Sequence, residues 1–107
     1  MHGYGEFKWK EEKHYIGYYN NDKKEGFGIH YWKDAKRLYI GFWKDGRQDG
    51  VGRYVNPQTE RWGQWKKGVR VKWYSSKKEA LATLSTTQFK YKKILNYNVE
   101  EIINFFK

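Results

Sequence analysis

The sequence predicts a mainly β protein, made of about three consecutive antiparallel β-hairpins in a single sheet and followed by short C-terminal α-helices. Three observations predict this fold class. All 11 glycines and all 6 tryptophans lie at or before Trp73. Glycine pairs recur in that part at intervals of 23 and 24 residues. Residues 1–74 also hold 17 aromatic side chains against eight Ile, Leu or Val, which favours strands.

Two series of glycines run in phase along this part of the chain. The first series is Gly3-Tyr4-Gly5, Gly26-Phe27-Gly28 and Gly50-Val51-Gly52; the second is Tyr15-Ile16-Gly17, Tyr39-Ile40-Gly41 and Arg61-Trp62-Gly63. The segments between them, residues 10–13, 33–37 and 57–60, are polar and differ in length, which is typical of exposed turns. Each unit is therefore a predicted β-hairpin.

The strands of each hairpin follow from the residues that flank its turn. Residues 6–9 and 14–19 form the first pair, and residues 29–32 and 39–43 form the second, because both stretches are short and rich in strand-favouring rings. The third unit departs from the pattern, with Asn56 in place of Trp and Arg61 in place of Tyr. Asp22 stands where Gly46 and Gly68 are found later. We expect deviations in the strands of the third hairpin and in the first linker.

A strand alternates its side chains between two faces, which places Tyr15, Gly17 and Tyr19 together. The same positions recur as Tyr39, Gly41, Trp43 and as Arg61, Gly63, Trp65. A glycine in mid-strand costs about 0.5–1 kcal/mol relative to alanine, so we expect a neighbouring ring to lie across each one. The predicted structural residues of the repeat are Gly5, Gly17, Gly28, Gly41, Gly52, Gly63, Tyr15, Tyr39, Trp43 and Trp65.

Composition changes near Ser75, which divides the chain into hairpins over residues 1–74 and a helical cap or docking segment over residues 75–107. Ser76 followed by Glu79 has the spacing of a capping box, and Asn98 followed by Glu101 repeats it. Two short helices are predicted to begin there. Residues 89–95 between them fit either helix or extended chain, and we favour helix.

The last helix has one apolar stripe, formed by Val99, Ile102, Ile103 and Phe106 at helical spacing. A helix this short is unstable alone in water, so the stripe needs an apolar surface. Packing over the sheet as a cap is the favoured interpretation. Docking to another protein or subunit and lying on a membrane are the alternatives; Glu100 and Glu101 argue against the membrane.

These residues resemble the MORN (membrane occupation and recognition nexus) repeat, over about residues 2–71. The second unit carries the resemblance best, from Gly26-Phe27-Gly28 through Tyr39-Ile40-Gly41-Phe42-Trp43-Lys44-Asp45-Gly46. The resemblance implies a curved, twisted single sheet of successive hairpins with a groove on one face, and no enzymatic activity. It also implies a place in cytoskeletal, ciliary or membrane-contact assemblies. A first hairpin that begins at Gly3 leaves an unpaired edge for self-association or for docking onto a partner's sheet, unless the chain is a fragment.

The sequence offers no framework for catalysis, metal binding or a cofactor. The chain has no Cys, its three His have no metal-ligand spacing, and its serines lie in no nucleophile elbow. The absence of Cys favours a reducing, intracellular compartment, and no apolar run is long enough for a spanning helix. We therefore expect a soluble or peripheral intracellular protein that is not an enzyme.

The leading functional hypothesis is a scaffold module that binds a protein partner within a larger complex. Rings outside the repeat positions or at its exposed end are the predicted partner contacts: Tyr18, Phe42, Trp73, Tyr74 and Phe106. The formal charge of +10 also permits binding of acidic phospholipid. The residues for that alternative are Lys23, Lys24, Lys66, Lys67, Arg70 and Lys72. RNA or DNA binding is a second alternative, which the structural commitment of the rings disfavours.

Overall fold

The computed structural model describes residues 3–9 and 13–106. Seven antiparallel strands form one open sheet in chain order: β1 (Gly3–Trp9), β2 (Lys13–Asn20), β3 (Lys23–Trp32), β4 (Arg37–Lys44), β5 (Arg47–Val55), β6 (Glu60–Lys66) and β7 (Val69–Trp73). Four short helices follow: α1 (Lys77–Ala82), α2 (Thr86–Phe89), α3 (Lys92–Leu95) and α4 (Val99–Asn104). The predicted fold class is confirmed. Residues 10–12 of the first predicted turn lie outside the described residues.

The two predicted glycine series form one row across the sheet. Cα pairing joins Gly5 to Gly17, then Gly17 to Gly28, and continues through Gly41, Gly52 and Gly63. The row crosses six strands without interruption, so neighbouring hairpins are in phase as predicted. Register shifts occur only beside this row, between β2 and β3, β4 and β5, and β6 and β7.

Two-residue turns join these three strand pairs. Each turn has two residues in the left-handed region, which fits the type I′ turn of tight hairpins. The φ angles are 51° and 64° at Asn21 and Asp22, 51° and 82° at Asp45 and Gly46, and 50° and 83° at Lys67 and Gly68. The predicted deviation at the first linker is therefore wrong, because Asp22 adopts the conformation that glycine adopts in the later turns.

The predicted deviation in the strands of the third hairpin is also wrong. β5 and β6 pair from Gly50 with Trp65 to Val55 with Glu60 without a register shift. Asn56 replaces Trp because its side chain closes the turn: its Oδ1 accepts hydrogen bonds from the backbone N–H of Gln58 at 2.9 Å and of Thr59 at 2.8 Å. This substitution shapes the loop and leaves the strands paired.

The two faces of the sheet differ in composition. The first, called the ring face, is built from Tyr15, Tyr19, Tyr39, Trp43 and Trp65, with Phe7, Trp32, Tyr54 and Trp73 packed beside them. The second, called the helix face, holds the buried aliphatic residues of the strands and is covered by side chains of the C-terminal segment, namely Ala80, Leu95, Ile102 and Phe106. The sheet therefore has an aromatic layer on one side and a mixed core on the other.

The C-terminal helices begin where the sequence predicts. Ser76 caps α1 by accepting from the backbone N–H of Glu79 at 3.1 Å, and Asn98 caps α4 by accepting from that of Glu101 at 3.1 Å. The segment left open, residues 89–95, is helical at both ends, in α2 and α3. The apolar stripe of α4 packs on the sheet, since Ile102 and Phe106 belong to the core of the helix face.

Arg53 fastens the helices to the sheet from a buried position on β5. Its Nη1 donates to the carbonyl oxygens of Leu95 at 3.3 Å and Tyr97 at 2.7 Å, at the end of α3. Its Nε and Nη2 donate to Glu60 Oε1 at 3.0 and 2.6 Å. The guanidinium therefore satisfies free carbonyls at a helix terminus while it keeps a carboxylate partner.

Candidate interaction surface

The rings of Tyr15 and Tyr39 lie across the glycine row of the ring face. A Cβ added to Gly28 would lie 2.6 Å from Cε1 of Tyr15, and a Cβ added to Gly52 would lie 2.5 Å from Cε1 of Tyr39. Burial raises the pKa of both phenols above the usual value. At Gly28 and Gly52, a ring therefore occupies the space beside the missing side chain.

Edge-to-face ring contacts link one hairpin to the next. Tyr15 meets Trp43 with centroids 5.7 Å apart, and Tyr39 meets Trp65 at 5.0 Å, in both cases nearly perpendicular. Trp65 meets Trp73 in the same way at 5.7 Å. Such geometry is favourable for aromatic pairs. These rings therefore stabilise the packing of one hairpin on the next, as the sequence predicts.

The ring layer ends at Trp73. Gly63 of β6 pairs with Trp73, whereas Gly17 and Gly41 pair with glycines of the following strands. The indole therefore fills the space that a tyrosine ring would need. Arg61 takes the tyrosine position, and its guanidinium carbon lies 4.2 Å from the centroid of the Trp73 ring. The departure at Arg61 thus marks the last repeat.

Strand β7 is an edge strand with an exposed surface. It is last in the sheet order, so no described strand pairs with its outer side. Val69 is 66% exposed and Val71 is 60% exposed, although both are large apolar residues in a strand. Arg70 and Lys72 alternate with them and are also exposed. Unpaired backbone groups and exposed valines make this edge ready to receive another strand.

Two groups of predicted contact residues come together at β7. Trp73 and Tyr74, predicted partner contacts, are half-buried at its end, and Tyr74 Oη donates to Gln64 Oε1 at 2.8 Å. Arg70 and Lys72, predicted anion contacts, stack on the same rings. The Arg70 guanidinium carbon lies 4.6 Å from the Trp73 centroid, and Lys72 Nζ lies 4.8 Å from that of Tyr74.

The sequence of these strands and glycines matches the model of a known repeat family. The model of the MORN repeat matches residues 1–11, 15–36 and 39–58. The chain is a MORN repeat protein. The matched stretches stop before β6. Arg61 on β6 and Trp73 on β7 replace the ring and the glycine of the earlier repeats. A comparison with curated protein sequences found no match. MORN repeats generally serve as modules for protein and membrane interactions.

The MORN sheet buries two of the predicted partner contacts. Phe42 is 5% exposed and lies beneath the Tyr91 ring, with centroids 6.0 Å apart. Phe106 is 5% exposed and packs against Tyr31 at 5.1 Å. The C-terminal segment thus covers Phe42, and Phe106 is itself one of the covering side chains. Tyr18, the remaining predicted ring, is 38% exposed.

The predicted anion contacts do not form one cluster on the MORN sheet. Lys24 lies on the ring face, with Nζ 5.3 Å from the Tyr15 centroid and 5.1 Å from that of Trp43. Burial, together with the charge of Lys13, lowers the Lys24 pKa below its usual value. Lys23 is exposed at the start of β3. Lys66 and Lys67 are exposed beside the turn before β7, three strands away.

Acidic residues between these cations have structural roles. Glu25 Oε1 accepts from the backbone N–H of Asp45 at 3.1 Å, and Asp49 Oδ2 accepts from that of Lys67 at 3.2 Å. The backbone N–H groups of Gly46 and Gly68 donate to carbonyl oxygens of the preceding repeat at 2.9 and 2.8 Å. The second and third two-residue turns are therefore hydrogen-bonded to the repeat before them.

A cleft that sequence reasoning missed lies between the first hairpins and the helices. Its volume is about 500 Å³, and its apolar lining includes Ile16, Tyr18, Tyr91, Ile94 and Phe105. The alternation of aliphatic side chains along the strands was the available signal, since it marks the face that the helices cover. Glu6 is the acidic residue of the lining.

Two further properties concern the described part of the chain, residues 3–9 and 13–106. Within it, no group of three or more His, Asp or Glu side chains is placed to hold a metal ion. No helix within those ranges has the length and apolar character needed to cross a bilayer.

Proposed function

We propose that this MORN repeat protein is a non-catalytic interaction module, an accessory subunit that docks a protein partner within a larger intracellular assembly. The contact surface in this proposal is the β7 edge, defined as Val69–Trp73 with Tyr74. The observation that carries it is the exposure of two valines on a strand whose outer side pairs with no described strand. Edge strands of this kind bind partners by strand addition.

The other surfaces of the sheet support this choice. The rings of the ring face pack on glycines and on one another, so they contribute to stability first. The helix face is covered by residues of α1, α3 and α4. Tyr18, at the apolar cleft, is a second proposed contact because it is half exposed. The β7 edge combines apolar side chains, cations and free backbone groups in one place.

Affinity capture with a variant of the edge tests the proposal. Val71→Pro removes a backbone donor from β7, whereas Val71→Thr keeps the backbone and serves as the matched control. We expect a defined set of proteins from lysate of the source cells to bind wild type and Val71→Thr, and to be lost from Val71→Pro. Should Val71→Pro fail to fold, Val69→Asp takes its place. Retention of the same proteins by the folded edge variant contradicts the proposal.

Binding to acidic phospholipid is the second candidate function. The observation in its favour is a series of exposed cations beside the two-residue turns: Lys23, Lys44, Arg47, Lys66 and Lys67. Polybasic binding of this kind persists in part at an ionic strength of about 0.15 M. Flotation with acidic vesicles at that salt tests it, and absence of co-flotation contradicts it.

A further inference from the structure

We infer that the segment received by the β7 edge is an extended, acidic strand of a partner protein. This inference rests on the proposed function, since it names the chemistry of the partner that docks there. Three features carry it: the local charge, the two guanidinium groups beside Trp73, and the free backbone of an edge strand.

The charge of the last hairpin is predominantly positive. Residues 61–74 contain five cationic side chains and no acidic one: Arg61, Lys66, Lys67, Arg70 and Lys72. The first two turns contain the acids Asp22 and Asp45, whereas the third turn is formed by Lys67 and Gly68. Asp49 of the preceding repeat accepts from the Lys67 backbone N–H at 3.2 Å, so one carboxylate also lies beside this turn. The last hairpin is therefore the part of the sheet where an anionic partner gains most from electrostatic complementarity.

Arg61 and Arg70 lie against the Trp73 ring, at 4.2 and 4.6 Å from its centroid. Stacking on an indole orients a guanidinium while leaving its N–H groups able to bind a carboxylate through two bonds. Neither guanidinium forms an ion pair with a carboxylate in residues 3–9 and 13–106. These two side chains are thus oriented for acids that the described chain does not supply.

The backbone of β7 selects a polypeptide as the occupant. Strand β7 holds the same place in the repeat as β3 and β5. The equivalent pairs are Lys24 with Tyr19, Gln48 with Trp43, and Arg70 with Trp65. Those two strands have a hydrogen-bonded strand on each side. The outer side of β7 therefore presents backbone groups like those that β3 and β5 use to bind a strand. Only another polypeptide offers N–H and C=O groups at strand spacing.

Two copies of this chain fit together poorly when both present the β7 edge. Pairing β7 with another β7 would bring Arg70 and Lys72 of both copies together, and like charges across a strand pair are destabilising. The surrounding lysines would add to the repulsion. An acidic strand removes this cost and covers Val69 and Val71, which favours a partner of different sequence.

Titration of the full chain with defined probe peptides tests the inference. The first probe is a short capped peptide in which glutamate alternates with valine; the second has glutamine in place of glutamate. A third repeats the first with alternate backbone amides N-methylated, which blocks strand pairing at constant charge. We expect the glutamate peptide to bind and to shift the amide signals of β7, the glutamine peptide to bind about tenfold more weakly, and the methylated peptide not to bind.

Charge-reversal variants of the protein provide a second test, with one of them as the matched control. Arg70→Glu and Arg61→Glu should each weaken the glutamate peptide several-fold, whereas Lys44→Glu, the same change on β4, should leave its affinity within twofold. Equal binding of the glutamate and glutamine peptides, or signal changes away from β7, overturns the inference. Binding of acidic vesicles that requires Arg70, without binding of any peptide, assigns the surface to a membrane and also overturns it.

The two proposals fail in different ways. If Val71→Pro loses its captured proteins but the glutamate peptide does not bind, the edge docks a partner of other chemistry and the acidic assignment is wrong. If Val71→Pro keeps every captured protein, the proposed docking surface itself is wrong.

Discussion

Trp73 pairs with Gly63 at the register position where Gly28 and Gly52 pair with Gly17 and Gly41. A large ring thus replaces the second glycine of the repeat in β7. The same repeat has Arg61 in place of the tyrosine that would lie across that glycine, and Arg61 stacks on the new ring. The two substitutions compensate each other and end the ring layer.

The compensation predicts coupling between these two positions. Arg61→Tyr alone should destabilise the fold because Trp73 occupies the space for the tyrosine ring. Combined with Trp73→Gly, it restores the arrangement of the first two repeats. We expect an interaction energy of about 0.5–3 kcal/mol in favour of the double variant, measured by urea denaturation. Additive effects of the two changes would contradict the compensation.

Gly52→Ala should destabilise the protein by about 1–3 kcal/mol. The added methyl group overlaps the buried Tyr39 ring, and the neighbouring Trp43 and Trp65 leave that ring no free space. Thermal and urea denaturation measure the effect. Lys66→Ala, at an exposed strand position, is the control and should change stability by no more than about 0.5 kcal/mol. A fully stable Gly52→Ala variant would mean that the ring does not rest on the glycine.

Arg53→Met should loosen the helices from the sheet. The substitution leaves the carbonyls of Leu95 and Tyr97 without their donor, at a cost of about 1–3 kcal/mol. Hydrogen exchange in α3 and α4 should then accelerate more than exchange in β3 and β4. Glu60→Gln is the matched control and should have the smaller effect, because the Glu60 side chain is 41% exposed. Equal acceleration throughout the chain would argue against a local role.

Stability should fall on acidification through His30. Burial lowers the pKa of this histidine from 6.5 to about 4, and the charges of Lys24, Lys13 and Arg37 act in the same direction. The imidazole is 7% exposed and stacks on Trp32 at 4.0 Å. The unfolded chain takes up the proton first as pH falls, so the stabilisation is present above pH 6.5 and is lost between 6.5 and about 4.

Urea denaturation at several pH values measures this effect. Wild type should lose at most about 3 kcal/mol more than His30→Phe across that window, since a pKa unit corresponds to about 1.4 kcal/mol. Comparison with the variant removes the contribution of the carboxylates. Parallel pH profiles for the two proteins would contradict a low pKa at His30.

Much of the fold could be predicted from the sequence because glycine and ring positions obey a period of two. The row from Gly5 to Gly63 and the rings of Tyr15 and Tyr39 follow from that period alone. The starts of α1 and α4 follow from local side-chain caps at Ser76 and Asn98. These features depend on neighbours in the chain or on a fixed stride.

Other features depend on contacts between distant segments. The sequence predicts Phe42 and Phe106 as partner contacts because it does not say how closely the helices cover the helix face. The sequence groups Lys24 with surface cations, although it stacks on two rings from other strands. The role of Arg53 also depends on a helix end more than 40 residues away. No local pattern encodes these pairings.

Amide hydrogen exchange across β7 tests the central claim most directly, with the full chain free and then saturated with the glutamate–valine peptide. In the free protein, the outward N–H groups of Val69–Trp73 should exchange fast while those bonded to β6 are protected. With the peptide bound, the outward groups should gain protection and the ring face should not change. Protection that develops elsewhere, with β7 still exchanging fast, would contradict the assignment of this edge as the docking surface.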